Sequence, residues 1–229
     1  MSADANLNQL WARVLVEQLY RAGLRQAVIS PGSRSGPLAL ALDEHPGIGT
    51  RTILDERSAA FFALGMAKES GAPAAALATS GTAGANFYPA VVEAAMAHVP
   101  LLLLTADRPP ELHGWGALQT IPQQRLFGEF ARWFVDLGVP EPTGAALDHL
   151  RASAARAVAT ALHSPRGPVQ INAPFREPLA PLPDPGALPL QELRRGAMRA
   201  PGPRIVSGVE LPDRAELERV RQIAQTEER

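Results

Sequence analysis

Two arginines, one glutamate and several small polar residues lie in four short stretches with a common layout. Pro31, Gly32, Ser33 and Arg34 belong to SPGSRSGP, Glu56 to DERS, Thr82 and Asn86 to SGTAGAN, and Arg108 and Gln119 to DRPPELHGWGALQT. Each stretch follows a short apolar run, and the first three lead straight into a helical pattern. An arginine fork grips carboxylates through charge-assisted bonds. A single carboxyl group on a fixed turn can hold or pass a proton. Brought together, these groups suit a small polycarboxylate beside a second group that needs one carboxylate.

Each stretch also has a plainer reading. Arg34 at a helix start faces the positive end of the dipole, a mismatch of roughly 0.3–1 kcal/mol. It can turn to solvent, pair with an acid or grip an anion. Ser33 or Ser35 is a natural cap for that helix. Arg108 can pair with Asp107, Glu111 or Asp55. Glu56 can be a first-turn acid that complements the dipole. SGTAGAN resembles a phosphate cradle, but its small residues equally allow a helix to pack close to a strand. It has neither a P-loop ending nor the spaced glycines of a dinucleotide turn. His113 has no partner at metal-ligand spacing and reads as solvent-facing. No Ser-His-Asp signature or HExxH pair is present.

The elements that must position these groups alternate. Strand patterns fall at 26–30, 51–54, 74–80, 101–107, 133–137 and 168–173; helical patterns fall at about 7–22, 36–43, 58–70, 84–97 and 145–163. Such alternation predicts an α/β fold, a six-stranded parallel sheet with helices on both faces. LLLLTAD is apolar without alternation, as a central parallel strand should be. In such a sheet every strand-to-helix turn lies at the carboxyl edge, where ligands bind. The long 107–132 connection, with its prolines and glycines, reads as an ordered functional loop.

Composition narrows the classes. The chain has 229 residues, 46% of them hydrophobic, and a net charge of −1. That permits a sizeable core and argues against a nucleic-acid surface. No cysteine is present, which removes disulfides and thiolate chemistry. The start lacks a secretory pattern, and no apolar run has the length of a membrane span; the expectation is a cytoplasmic protein. Residues 174–203 hold eight of the 22 prolines and read as a linker. A charged amphipathic helix pattern closes the chain. The expected organisation is one domain over 1–178, then a linker and the start of a further domain over 179–229.

Taken together, SPGSRSGPLALAL, DERSAAFFALGMAK, TSGTAGANFYPAVVEA and LLLLTADRPPELHGWGALQTI resemble the N-terminal pyrimidine-binding domain of thiamine-diphosphate enzymes. The similarity is to the 2-succinyl-5-enolpyruvyl-6-hydroxy-3-cyclohexene-1-carboxylate synthase family of menaquinone biosynthesis and runs from about residue 8 to 178. The resemblance implies that Glu56 hydrogen-bonds the cofactor's aminopyrimidine ring and favours the tautomer whose nitrogen removes the C2 proton. Pro31, Gly32, Thr82 and Asn86 would face the same ring. It implies that Arg34 and Arg108, with Ser33 and Gln119 beside them, contact the carboxylates of 2-oxoglutarate and isochorismate. It also implies a homodimer or homotetramer and a Mg2+-diphosphate site. The ligands of that site belong to a Gly-Asp-Gly motif in a C-terminal domain, and this sequence contains no Gly-Asp pair. Two positions depart from the family pattern: Leu118 stands where asparagine is usual, and Pro122 where arginine is frequent. The expected function is therefore the N-terminal part of such a synthase, inactive by itself. The other class is a standalone α/β anion-binding or regulatory protein that kept the fold.

Overall fold

The computed structural model describes residues 6–183, 202–206, 208 and 213–227. Among these residues six strands are present: β1 (Gln26–Ile29), β2 (Gly49–Thr52), β3 (Ala74–Ala78), β4 (Leu101–Asp107), β5 (Trp133–Asp136) and β6 (Val169–Pro174). They form one sheet in the order β2-β1-β3-β4-β6-β5, and every pairing is parallel. The α/β expectation of a six-stranded parallel sheet is met.

Helices cover both faces. On one lie α1 (Leu7–Ala22), α2 (Gly36–Asp43) and α6 (Gly144–Leu162), packed on Ala75, Leu77, Leu102, Leu104 and Ile171. On the other lie α3 (Glu56–Ser70), the four-residue α4 (Thr82–Ala85) and α5 (Tyr88–Met96), packed on Ala74, Ala76, Leu101 and Leu103. β3 and β4 are buried along their whole length, which explains their unbroken apolar sequence. The alanines of β3 leave room for helices to approach closely on each side.

Caps set the helix starts. Asn6 accepts from Gln9 N at 3.1 Å and opens α1. The same side chain donates to the carbonyls of Ala180 and Leu182, so ordered contacts with α1 run on to residue 182. Asp55 accepts from the Ser58 N–H at 2.8 Å and opens α3; this places Glu56 at its first position, two residues earlier than the pattern suggested. A last helix, α7 (Arg214–Glu227), corresponds to the closing amphipathic pattern. Residues 184–201 of the expected linker lie outside the described residues.

Two expectations need correction. The single helix over 84–97 is broken into α4 and α5, because Pro89 near the start of α5 has no N–H to continue the ladder. β2 lies at 49–52 and not at 51–54. Its register is set by backbone pairing with β1, Gln26 opposite Gly49 and Ile29 opposite Thr52. The apolar Ile53 and Leu54 that suggested the later position form the turn, and Leu54 is 80% exposed.

No described helix is long and apolar enough to cross a membrane.

Candidate functional site

The parallel sheet brings the turns after β1, β2, β3 and β4 to its carboxyl edge, so Pro31–Arg34, Glu56, Thr82, Asn86, Arg108 and Gln119 share that edge. Each is held differently.

Glu56 is half-buried. One carboxylate oxygen receives a hydrogen bond from Asn86 Nδ2 at 3.4 Å, which joins the turn after β2 to the one after β3. Asn86 also bonds back to the Thr82 carbonyl, and Thr82 itself is exposed at the start of α4. Among the described residues one long side-chain bond is seen on Glu56, so its carboxyl group retains acceptor capacity.

Arg34 is buried, 8% exposed, in the first turn after β1. Its Nη1 donates to the Phe175 carbonyl at 2.7 Å, and its Nη2 lies 3.3 Å from Glu177 Oε1. Its Nε has no partner. Burial lowers the Arg34 pKa from its ordinary value; Glu177 opposes that shift, and Arg108 reinforces it. The two arginines are thus within electrostatic reach of one another. Of the three alternatives for Arg34, turning to solvent is excluded. Ser33 and Pro31 beside it are exposed. Gly32 is required by space, since a Cβ there would lie 2.4 Å from Thr79 Cβ.

Arg108 does not pair with any of the three expected acids. Asp55 caps α3, Glu111 is held by Arg176 at 2.6 and 3.0 Å, and Asp107 Oδ1 accepts from the Arg108 backbone N–H at 2.7 Å. The guanidinium reaches Ser80 Oγ instead. His113 is not simply solvent-facing: its Nε2 lies 3.0 Å from the Arg108 carbonyl and 3.7 Å from Asp107 Oδ1.

Gln119 adopts φ 56°, a left-handed conformation that costs of order 1 kcal/mol outside glycine and tends to occur at functional sites. Its Nε2 donates to the Ser80 carbonyl at 3.2 Å. The neighbouring Leu118 is 88% exposed.

The phosphate-cradle reading of SGTAGAN gives way to close packing. The Gly81 N–H is taken by Gln123 Oε1 at 2.7 Å. A Cβ on Gly84 would lie 3.2 Å from both Leu126 and Thr105 side chains.

Beneath the edge lies a buried polar network that sequence reasoning missed. Asn172 Nδ2 donates to Asp107 Oδ2 and to Asp136 Oδ2, each at 2.9 Å. Thr105 Oγ1 donates to Asn172 Oδ1 at 2.9 Å, and Gln170 and Gln123 complete the set. Burial pushes the Asp107 carboxyl above the usual carboxylate range; its bonds from Asn172 and the Arg108 N–H, and His113 nearby, pull the other way, while Asp136 adds to the rise. The signal was present: Gln170 and Asn172 interrupt an otherwise apolar strand, as Thr105 and Asp107 do in LLLLTAD.

A family model for the thiamine pyrophosphate enzyme N-terminal TPP-binding domain matches residues 11–126. The chain belongs to this family. Among curated proteins it is similar to the 2-succinyl-5-enolpyruvyl-6-hydroxy-3-cyclohexene-1-carboxylate synthase of Myxococcus xanthus strain DK1622, 60% identical over 223 residues, 96% of this chain and 38% of that protein. The synthase of Haloquadratum walsbyi strain DSM 16790 / HBSQ001 is 56% identical over 189 residues, 82% of this chain and 30% of that protein. The synthase of Geobacillus kaustophilus strain HTA426 is 56% identical over 177 residues, 77% and 31% respectively. The chain therefore spans between 30% and 38% of the length of these thiamine pyrophosphate enzyme relatives.

Proposed function

We propose that this chain is the pyrimidine-binding part of a thiamine-diphosphate synthase that decarboxylates 2-oxoglutarate and joins the product carbon unit to isochorismate in menaquinone biosynthesis. In this reading residues 1–178 are the cofactor-ring domain, and 179–229 are a linker with the start of a further domain. The relatives' names support the reaction class. The observation that carries the assignment of roles is the carboxyl edge itself, with Glu56 open beside Asn86 and two arginines a turn away on either side of β3.

Glu56, Asn86, Thr82, Pro31 and Gly32 would hold the cofactor's aminopyrimidine ring. When bound, thiamine diphosphate would supply the nucleophilic carbon and the electron sink that decarboxylation of a 2-oxo acid needs. Glu56 would do the acid–base work of this chain: its carboxyl group, positioned by the Asp55 cap, would share a proton with a ring nitrogen of the cofactor. Arg34 and Arg108 orient substrate carboxylates, aided by Ser33 and Gln119. Arg34 is pre-placed by the Phe175 carbonyl, and Arg108 by Ser80 and Asp107. Each substrate bears two carboxylates, so two guanidiniums at one sheet edge would give affinity and direction together. Mg2+ would be held by residues of another domain. Assembly into a homodimer or homotetramer in the cytoplasm completes the proposal; exposed Leu54, Phe61 and Phe62 around Glu56 offer an apolar surface for it.

The test is Glu56→Gln in the full-length polypeptide. The amide keeps the shape and removes the proton equilibrium. Hydrogen–deuterium exchange at C2 of bound thiamine diphosphate should slow by about 10²–10⁴-fold, the usual size of an acid–base contribution. An unchanged exchange rate would leave Glu56 as a first-turn charge only.

A further inference from the structure

The peptide unit joining Ser80 to Gly81 is gripped at both ends by the loop that follows β4. Gln119 Nε2 donates to the Ser80 carbonyl at 3.2 Å, and the Gly81 N–H donates to Gln123 Oε1 at 2.7 Å. These glutamines, four positions apart, hold opposite ends of one amide plane, and rotating that plane would break both bonds. Gly81 stands at φ 84°, ψ −144°, a conformation open essentially to glycine alone. A Cβ there would meet Gln119 Cγ at 2.8 Å.

The two glutamines are not equivalent. Gln119 is exposed and makes one side-chain bond. Gln123 is fully buried. Its Nε2 donates to the Ala106 carbonyl and to Asn172 Oδ1, both at 3.1 Å. Its backbone carbonyl accepts from Gln170 Nε2 at 2.8 Å and from the Leu126 N–H at 3.2 Å. One side chain therefore ties the end of β4, β6 and the Gly81 turn to a loop that otherwise has only short helical turns. Only a neutral amide supplies the acceptor and the two donors this place demands. A carboxylate would supply acceptors alone.

We propose that Gln123 is a positioning residue of the site, holding the loop in the register that presents Arg108 and Gln119 to a dicarboxylate ligand. The role rests on the substrate reading above. It acts through the Ser80–Gly81 unit, whose carbonyl is met by Gln119 and whose Ser80 hydroxyl is met by Arg108.

Two variants test it, Gln123→Leu and Gln123→Glu. The first readout needs no reaction: amide hydrogen exchange at Gly81, followed by NMR in this chain. In Gln123→Leu it should rise by about tenfold or more beyond any change at the strand amides Leu77 and Leu104, the size expected for one lost hydrogen bond. The second readout is steady-state kinetics of the full-length enzyme. KM for the dicarboxylate substrate should rise about tenfold or more. Gln123→Glu adds a pH signature. Asp107 of β4 and Asp136 of β5 sit across Asn172 from the new carboxyl, with Arg108 and His113 on the loop beside Asp107. Burial and those acids raise its pKa in the folded state. Below that pKa the protonated group still donates and accepts, so KM should approach the unaltered enzyme's; as pH rises through it, the donor is lost and KM should climb. Unchanged Gly81 exchange in Gln123→Leu overturns the clamp. Raised exchange with unchanged KM overturns the positioning role. Failure of the unaltered enzyme to use any dicarboxylate with thiamine diphosphate overturns the functional reading itself, and Gly81 exchange still decides the clamp.

Discussion

Arg34 and Glu177 form an unequal pair. The arginine side chain is 9% exposed and the glutamate 70% exposed. An exposed carboxylate gains little from such a contact, whereas removing a buried guanidinium leaves the carbonyl it served without a donor. Glu177→Gln should therefore cost less than about 1 kcal/mol of stability. Arg34→Ala, which also abandons the Phe175 carbonyl, should cost about 1.5–3 kcal/mol. Urea denaturation of the two variants checks the order; equal losses would mean that the Glu177 contact, and not the carbonyl, holds Arg34. That Arg34, Glu56, Arg108 and Gln119 come to one edge was legible because the alternation of strands and helices sends every connection after a strand there; what each does was suggested by the family resemblance alone, since each also has a structural reading. Gln123 was not legible, because a glutamine in a loop carries no mark of burial. Only the approach of Gly81, Ala106 and Asn172 gives it three partners. His113 was misread for the same reason: its neighbour is a backbone carbonyl, which sequence does not display.

At the scale of elements, the site depends on where α3 begins. Asp55 accepts from both the backbone N–H and the hydroxyl of Ser58, and these bonds hold its pKa below the usual carboxylate range. The cap determines that Glu56 is the first helical residue, turned toward Asn86. Asp55→Ala should lower stability measurably, as lost N-caps do, read by thermal or urea unfolding. No measurable loss would show that tertiary packing of Ala59, Ala60 and Ala63 sets the helix start without the cap. Helix positions followed their apolar spacing closely, and α1 and α2 were predicted to the residue. β2 was displaced because an edge strand takes its register from its neighbour's backbone, and four exposed or half-exposed residues carry no pattern to read. The division into α4 and α5 was readable in principle from Pro89.

For the whole molecule, the two cores on either face of the sheet enclose nearly all the large buried side chains, including Trp11, Phe87, Phe127 and Phe175. α7 takes no part in either core; Leu217, Val220 and Ile223 are 52%, 62% and 53% exposed. Deleting 213–229 should leave the unfolding free energy within about 0.5 kcal/mol, because no residue of α7 stands in either core. A larger drop in the urea midpoint would show that α7 docks on the domain. The sequence by itself determined the layering, the parallel sheet and the edge to which the turns after the strands come, because strand and helix periods and the handedness of crossovers leave few other arrangements. Tertiary structure alone decided which of those groups face one another. Glu56 and Asn86 are 30 positions apart, Arg34 and Phe175 141, and a hydrogen bond depends on distances of a few ångströms that are settled only when the strands have taken their order in the sheet.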